Sequence, residues 1–327
     1  MFDTIAGKWE RGPYMPKDES RNSWETRTRE FFDRKAACRV TTTAFILSAP
    51  EARIAILGDG GIVRVEASLP KLVYGNNVST VCYPIPATER LREFVLDHVS
   101  GNVGSLDEMD YLRVDFCHNF YVGAALRDYV STLSQISFLQ HRRTYDGYGG
   151  VEWLGNNGRM IRVYDKHREI LEKDEQDIPG AKGILRFEVQ IRRKSGYLQR
   201  RLHTSDLRMV DVLNPAVAYR CLVETLDKMA VRSPFVARDT AKTLLDAQFG
   251  YRKSTRLLGL IRRLETESVE DVKRVSSRST FYSDKAALRH IGLWPPSATP
   301  FELPGLQIPP LQELHCDNVV VSANGAQ

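Results

Sequence analysis

Residues 183–193 read GILRFEVQIRR, and their strict alternation of apolar and polar side chains decides the fold. Successive residues of a strand point to opposite faces of a sheet, so this stretch predicts a strand with one apolar and one polar face. The apolar face comprises Leu185, Phe187, Val189 and Ile191, and the polar face comprises Arg186, Glu188 and Gln190.

Two upstream stretches alternate in the same way, RMIRVYDK at 159–166 and YLRVDFC at 111–117. The first puts Arg162, Tyr164 and Lys166 on its polar face, and the second puts Asp115 there. With a hairpin at 149–166 and helical spacing between strands, the order over 110–200 is β-α-β-β-α-β, as in ferredoxin-like sheets. We therefore predict an α+β fold with an antiparallel-rich, ferredoxin-like sheet and helices on one face.

The rest of the chain divides by composition. Residues 1–35 are polar and predict an irregular N-terminal arm. Residues 36–208 carry the strand patterns and form the predicted catalytic α+β domain. Residues 209–293 have helical periodicity and predict a helical domain. Residues 294–327 form a Pro-rich tail with no core pattern, which we expect to be extended or disordered.

Composition limits where the protein acts. No apolar run approaches the roughly 18 residues that a membrane helix needs, so we expect no membrane partner. The N-terminus has no apolar segment of the kind found in secretory signals. The five cysteines are scattered and form no CxxC pair, which favours reduced thiols. We predict a cytoplasmic protein.

Positive charge is concentrated in two places. The formal net charge is +5, and basic residues clearly outnumber acidic ones in 186–208 and 252–289. Local basic concentrations on a nearly balanced chain indicate a polyanionic partner such as DNA. Solvated helix faces are the alternative explanation for such clusters.

The shared polar face of the three strands has the side chains for phosphodiester transesterification. Asp115 and Glu188 are hard oxygen ligands of the kind that Mg²⁺ or Mn²⁺ prefers. Tyr164 has the hydroxyl of a covalent nucleophile, and nearby cations are expected to favour its phenolate. Arg162 and Arg186 are candidates for contacting the DNA phosphates. A solvated sheet face is the alternative.

Five motifs in order carry a family resemblance: SLPKLVYGNNV (68–78), LRVDFCHNF (112–120), GGVEWLG with RMIRVYDKHRE (149–155 and 159–169), ILRFEVQIRRK (184–194) and SRSTFYSDKAALRHIGL (277–293). They resemble the replication initiators of filamentous phages, the gene II/gene X type, and related HUH-type rolling-circle Rep endonucleases. Such enzymes nick one strand at the origin through a tyrosine, keep a 5′-phosphotyrosine link, release a 3′-OH and later rejoin the strand.

The resemblance assigns roles to individual residues. Asp115 and Glu188 become metal-binding carboxylates, Tyr164 the preferred nucleophile and Lys166 its electrostatic partner. It also implies origin DNA, both duplex and single-stranded, as substrate, with the host helicase and DNA polymerase as partners in the host cytosol. A separate helicase is consistent with the lack of a Walker A motif in the sequence.

The sequence departs from the family in its histidines. None of the seven histidines lies two residues from another, so the His-apolar-His pattern is missing. His118 or Glu152 would have to complete the metal site; a loop histidine and a surface strand residue are the alternatives. Tyr145, Tyr148 and Tyr197 remain rivals of Tyr164 as nucleophile.

The second basic segment predicts a recognition helix that is capped by Ser277 or Ser279 and ends at Gly292. Phe281, Leu288 and Ile291 fall on one side of it. Arg278, Lys285 and Arg289 lie within about 40° of one another at about 100° per residue and form a cationic stripe. An ordinary amphipathic surface helix is the alternative.

Two other functional classes fit parts of this pattern. A non-enzymatic, sequence-specific DNA-binding regulator would have the same basic helix but would never become covalently attached to DNA. A single-strand-binding protein would need exposed aromatic platforms, and the candidate strands offer few.

Overall fold

The computed structural model describes residues 1–10, 12–17, 23–33, 38–57, 60–134, 136, 141–144, 149–155, 158–173, 177–178, 180–267, 269–296 and 302–314. Within these ranges the chain is a mixed α+β structure built on a large antiparallel sheet. The strands are β1 (Phe2–Glu10), β2 (Met15–Pro16), β3 (Trp24–Asp33), β4 (Cys38–Ser48), β5 (Ala52–Leu57), β6 (Ile62–Ser68), β7 (Val99–Ser100), β8 (Asp110–Tyr121), β9 (His141–Thr144), β10 (Val151–Gly155), β11 (Arg159–Asp165) and β12 (Ile184–Arg192).

The helices lie mainly in the second half of the chain. Among the described residues, none of them is both long enough and apolar enough to cross a bilayer. They are α1 (Leu69–Tyr74), α2 (Ile85–His98), α3 (Leu126–Ser134), α4 (Lys166–Glu172), α5 (Tyr197–Leu202), α6 (Met209–Val212), α7 (Pro215–Met229), α8 (Arg238–Gln248), α9 (Tyr251–Thr266), α10 (Val269–Val275) and α11 (Arg278–His290).

Ten of the described strands form one sheet in the order β3-β4-β5-β6-β1-β8-β12-β11-β10-β9. Each neighbouring pair is antiparallel. β2 and β7 pair separately. The sheet therefore consists of a run of strands from the first 68 residues and a run from residues 110–192, and β1 joins the two.

The expected irregular arm over 1–35 is wrong, because β1 and β3 lie within it. Phe2 is fully buried, and its ring meets the ring of Phe116 edge to face at 5.7 Å between centroids. The pairing of β1 with β8 shifts register twice, which breaks the alternation by which a strand is recognised in a sequence. Gly7 also lies directly on Met109, where a Cβ would come within 2.2 Å of the Met109 Cε.

The predicted strands β8, β10, β11 and β12 and the helices α3 and α4 are all present, but their arrangement differs from the expected one. A split βαβ unit has one strand between two parallel strands. Here two strands separate β8 from β10, and the order is β8-β12-β11-β10. The ferredoxin-like order is therefore not the one observed, because β12 pairs with β8 as well as with β11.

Several helices pack against the apolar side chains of the sheet. Leu91 of α2, Leu133 of α3 and Leu222 of α7 share one cluster with the apolar faces of the strands. Helix α4 is an exception, since its Ile170 packs in a separate small cluster and its Lys166 lies 6.0 Å over the ring of Tyr164 on the polar face. Helix α4 therefore does not share the apolar cluster of α2, α3 and α7.

Helices α8 to α11 have an apolar cluster of their own, which includes Leu245, Leu257 and Phe281. In contrast, Met209 of α6 and Leu226 of α7 are part of the sheet's core. The apolar cores therefore divide near residue 237, after the predicted boundary at 209, because α7 packs on β8 and β12.

The Pro-rich tail is packed over 302–314, contrary to the expectation of an extended or disordered segment. Leu303, Leu306 and Ile308 are buried in the sheet's core. Leu303 also exchanges two backbone hydrogen bonds with Phe235, at 2.8 and 3.0 Å. The prolines are so closely spaced in this segment that its apolar residues follow neither a helical nor a strand period. Residues 315–327 lie outside the described residues.

If β1 is a central strand, Phe2→Ala should lower the free energy of unfolding by about 3–5 kcal/mol, because it removes a fully buried ring and leaves a cavity. Urea unfolding followed by circular dichroism measures the loss. Tyr83→Ala is the control, since Tyr83 is 61% exposed and should change stability by less than about 0.5 kcal/mol. Equal, small effects of both changes would contradict the placement of β1.

Candidate functional site

A cleft of about 360 Å³ opens on the polar face of the sheet, across the join made by β1. It is lined by residues from both runs of strands, among them Tyr164 of β11, and by residues from α1 and α4. Its acidic lining residues are Asp3, Glu51, Glu66, Asp115, Glu169 and Glu188. Its basic lining residues are Arg53, Lys71, Arg113, Arg162 and Lys173.

The strand register explains why the predicted residues meet in this cleft. Arg162 of β11 lies opposite Glu188 of β12, and Tyr164 lies two residues on, on the same face. Asp115 of β8 pairs with Gln190 of β12, again on that face. The sequence prediction that Asp115, Arg162, Tyr164 and Glu188 share one surface is therefore confirmed.

Asp165 fixes the local geometry around Tyr164. It ends β11 and caps α4, its Oδ1 accepting hydrogen bonds from the backbone N–H groups of His167 and Arg168 at 3.0 and 3.2 Å. Such capping satisfies N–H groups at the start of a helix. The chain therefore changes from strand to helix directly after Tyr164, which keeps the tyrosine on the sheet and starts α4 at Lys166.

Tyr164 donates a hydrogen bond to Glu188, with 3.1 Å between Oη and Oε2. The phenol lines the cleft but is 4% exposed. Burial, and next the negative charge of Glu188, raise the pKa of Tyr164 well above its usual value of 10. The expectation that nearby cations favour a phenolate is wrong, because these two effects outweigh the opposing effect of Arg186.

Two buried carboxyls at the cleft hold protons unusually well. Burial, followed by the charges of Asp115 and Asp3, raises the pKa of Glu188 to about 7. Burial likewise raises the pKa of Asp115 to about 6, against the opposing effect of Arg113. The raised pKa moves Glu188 toward the range in which a carboxylate is an effective general base, and its hydrogen-bond partner is Tyr164.

Arg113 fixes Asp115 from two residues upstream, on the same strand and the same face. Its Nε donates to Asp115 Oδ1 at 2.9 Å, its Nη2 donates to Oδ2, and its Nη1 donates to Glu66 at 2.7 Å. A bidentate guanidinium of this kind occupies both carboxylate oxygens. Asp115 is therefore tied into an ion-pair chain that connects β8 with β6.

Lys166 is adjacent to Tyr164, but its ammonium does not reach the cleft. The side chain is fully buried, and Nζ donates to Glu169 Oε2 at 2.5 Å. Burial, and next the charge of Arg186, lower the pKa of Lys166 to about 8. Lys166 was predicted as the electrostatic partner of Tyr164, and in this arrangement its ammonium forms an ion pair with Glu169 instead.

Arg186 is a structural residue, and its predicted role in DNA contact is wrong. Its side chain is fully buried. It donates to Asn119 at 2.8 Å and to the Val78 carbonyl at 2.7 Å, and lies 3.5 Å from Asp3. The segment around Val78 covers this end of the polar face, which the alternation of β12 does not show.

The four predicted metal ligands do not come together. His118 lies inside β8 next to Phe120, with which its ring packs edge to face, and it points to the face opposite Asp115. Burial lowers the pKa of His118 to about 4. Glu152 accepts a hydrogen bond from Arg162 at 2.7 Å and lies on β10, which two strands separate from the β8 strand of Asp115.

The donor set therefore does not fit a bound Mg²⁺ or Mn²⁺. Both oxygens of Asp115 are taken by Arg113, and His118 belongs to the other face. Among the residues that the structure describes, no group of three or more His, Cys, Asp or Glu side chains is arranged to hold a metal ion. We derive no chemical step through a metal.

The rival tyrosines differ in position. Tyr145 and Tyr148 lie outside the described residues. Tyr197 begins α5, packs against the sheet's core, and has the Arg159 guanidinium 4.7 Å from its ring centroid. Tyr197 is therefore not part of the cleft, and Tyr164 is the tyrosine that the structure brings to the carboxylates.

The predicted cationic stripe of α11 is incomplete. Arg278 is exposed, but Lys285 is 5% exposed and lies with its Nζ 4.6 Å from the centre of the Trp294 ring. Arg289 is exposed and donates to the Lys228 carbonyl at 3.1 Å. The assignment of Lys285 to DNA contact is wrong, because Phe281, Lys285 and Leu288 share the inner row of the helix.

Sequence reasoning missed several residues that line the cleft. Asp3 was assigned to an irregular arm, and Lys71 and Lys173 follow no strand pattern. Arg113 has the parity of Asp115, and this signal identifies it as a partner on the same face. The others are brought to the cleft by long-range strand pairing, for which the local sequence carries no signal.

Comparison with known proteins adds no family assignment. No protein-family model matches the chain, and no curated protein matches it significantly.

The raised pKa values predict how stability depends on pH. Both carboxyls bind protons more tightly in the folded chain than in the unfolded one, so their contribution to stability is complete below about pH 4 and is lost as the pH rises toward about 7. In Glu188→Gln the free energy of unfolding should fall less over this pH range, because glutamine does not titrate. Urea titrations of both proteins between about pH 4.5 and 7.5 measure the free energy of unfolding.

The difference between wild type and Glu188→Gln at each pH isolates the glutamate, because His118 titrates in the opposite sense in both proteins. Parallel pH profiles of the two proteins would show that Glu188 is not a buried acid of raised pKa.

Proposed function

We propose that this protein is a phage or plasmid replication initiator, an origin-specific DNA nicking and joining endonuclease of rolling-circle replication. The observation that carries the proposal is the hydrogen bond of 3.1 Å from Tyr164 to Glu188 at the wall of a cleft rimmed by cations. A nucleophile within hydrogen-bond reach of a base of suitable pKa is the signature of covalent catalysis.

In the proposed step the phenol oxygen of Tyr164 attacks a backbone phosphorus atom of one DNA strand. Glu188 takes the phenol proton as the O–P bond forms, because the raised pKa of Tyr164 disfavours a free phenolate. The P–O3′ bond breaks, and the O3′ leaves with a proton drawn from water in the open cleft. The product is a 5′-phosphotyrosine and a free 3′-OH, and attack of a 3′-OH on the phosphotyrosine rejoins the strand.

The cations of the cleft give this step its electrostatic support. Arg162 lies 4.0 Å from Glu188, and 35% of its side chain is exposed toward solvent. Lys173 is 43% exposed at the same cleft. Guanidinium and ammonium groups of this kind stabilise negative charge that develops on a phosphoryl group. Arg162 is the residue that we assign to the phosphate beside Tyr164.

The sequence motifs support the same proposal. The tyrosine of RVYDK and the glutamate of RFEV are the two residues joined by the hydrogen bond. The proposal extends to origin DNA, duplex and single-stranded, to host helicase and DNA polymerase as partners, and to the host cytosol. We also infer that α8 to α11 form the DNA-binding domain. The relation to HUH-type enzymes rests on the motifs, since the strand order differs from the ferredoxin-like one.

One observation favours a second candidate, a non-enzymatic DNA-binding regulator. Arg113 holds both oxygens of Asp115, as expected of a polar network that only connects strands. Such a regulator would bind origin DNA and leave it intact.

The decisive prediction concerns Tyr164→Phe, which keeps the ring and deletes the attacking oxygen. The variant should bind origin DNA normally and form no covalent adduct, while losing about 1 kcal/mol of stability with the hydrogen bond to Glu188. The assay uses supercoiled plasmid carrying the replicon's origin, with Mg²⁺, with Mn²⁺ or with a chelator, followed by protease treatment and a gel. The requirement for a divalent ion stays a prediction, which these arms test.

Tyr197→Phe is the matched control and should still form the 5′ adduct, because Tyr197 lies outside the cleft. Wild-type protein that binds the origin but never cleaves it would favour the regulator. An adduct formed by Tyr164→Phe would show that another tyrosine is the nucleophile, and peptide mapping would identify it.

A further inference from the structure

Helices α8 and α9 form a compact pair with a short connection. α8 ends at Gln248, Phe249 and Gly250 are extended, and α9 begins at Tyr251. Ala241 and Leu245 of α8 pack with Leu257 and Ile261 of α9 in one apolar cluster. Two packed helices joined by a short connection are an arrangement that helical hairpins and helix-turn-helix units share.

The outer face of α9 is strongly basic. The helix contains five Arg or Lys residues and one acid, Glu265. Arg252, Thr255 and Arg262 are exposed, and Arg252, Thr255, Gly259 and Arg262 follow the spacing i, i+3, i+7, i+10. Residues at such spacing form one row along a helix. In the part of the chain that the structure describes, neither Arg252 nor Arg262 has an ion-pair partner.

Two further arginines border this row but are already paired. Arg256 contacts Asp284 at 2.7 Å, and Arg263 contacts Glu267 at 2.7 Å. These contacts tie α9 to α11 and to its own C-terminal end. The charges of Arg252 and Arg262 therefore remain for a partner outside the protein, and Tyr251, 83% exposed, stands beside them at the start of the helix.

Gly259 lies in the middle of this basic row. A Cβ added there would meet nothing within 4 Å, so the protein's own packing does not require glycine. Glycine inside a helix is destabilising compared with alanine or glutamine. A glycine at such a position lets another molecule's backbone approach the helix closely.

We propose that α8 and α9 are a helix-turn-helix and that α9 enters the major groove of duplex DNA, with Arg252 and Arg262 on phosphates and Gly259 at the point of closest approach. An α-helix with its side chains is about 10–12 Å wide and fits the major groove of about 12 Å. The inference rests on the proposed action on DNA, and it replaces α11 by α9 as the recognition helix.

Helix α11 is the weaker candidate for the recognition helix, because two of its three predicted contact residues already have partners within the protein. Lys285 is buried against Trp294, and Arg289 donates to a backbone carbonyl of α7. Of its three predicted DNA contacts, Arg278 is the one that is exposed with neither an ion pair nor a side-chain hydrogen bond among the described residues. Helix α11 instead supports α9 through Asp284.

The first experiment measures binding of the full chain to a labelled mixed-sequence duplex of about 30 base pairs by fluorescence anisotropy over a series of salt concentrations. Arg252→Gln with Arg262→Gln should weaken binding by about tenfold or more near 0.1 M salt. It should also reduce the slope of log K against log salt by about 2, since each phosphate contact contributes about 0.9.

The matched control removes the same charge elsewhere. Arg92 of α2 and Arg220 of α7 are exposed and have no ion-pair partner among the described residues. Arg92→Gln with Arg220→Gln should keep the wild-type slope. Loss of slope in Arg278→Gln with Arg289→Gln, but not in the α9 pair, would overturn the inference in favour of α11.

The second experiment tests the close approach and does not depend on charge. Gly259→Gln should raise the melting temperature by a few degrees, because glutamine is the better helix former. It should nevertheless weaken duplex binding by about tenfold. Higher thermal stability together with unchanged binding would overturn the proposed contact of this helix face.

The covalent adduct assay on the same protein preparations separates this inference from the proposed function. Wild type that forms no adduct, but binds duplex in a way that depends on α9, would overturn the nicking function and support the inference. If wild type forms the adduct, and the substitutions at Arg252, Gly259 and Arg262 leave duplex binding unchanged, the result would support the function and overturn the inference.

Discussion

The structure depends on the pairing of β1 between β6 and β8. Without it, the strands of the first 68 residues and those of residues 110–192 would each end in an open edge, and unpaired edge strands expose backbone donors and acceptors. The cleft exists because of this pairing, since its lining residues come from both sides of the join. Asp3, on β1 itself, faces the buried Arg186 of β12 and reinforces the same connection.

The join also explains the electrostatics of the cleft. Burial, and next the charges of Asp115 and Asp3 from two other strands, raise the pKa of Glu188. Isolated buried carboxylates of this kind would be costly, and the structure offsets the cost with Arg113 and Arg186. Arg162 is the more exposed cation beside Glu188. The sheet therefore places Glu188 between two carboxyls that raise its pKa and two guanidinium groups that oppose the rise.

The sequence predicted the polar face well and its surroundings poorly, for identifiable reasons. Strict alternation placed Arg162, Tyr164 and Glu188 together, because parity is a local property of a strand. His118 was misplaced because β8 continues to Tyr121, so that its parity turns it away from Asp115. Arg186 has the right parity but is covered by the segment at Val78, which is 108 residues away. Strand β1 escaped detection because its register shifts interrupt the alternation.

Phe235 and Leu303 exchange two backbone hydrogen bonds, and helices α8 to α11 lie between them in the chain. These helices are therefore an insertion in the sheet's fold rather than an appendage at its end. The chain leaves the sheet's core after Phe235, builds the helical cluster, and returns to the same core at Leu303 and Leu306. The backbone N–H of Leu306 donates to the Val231 carbonyl at 2.9 Å. During synthesis the helices therefore emerge from the ribosome before the segment that completes the core. The sheet body cannot finish folding until the whole insertion has been made.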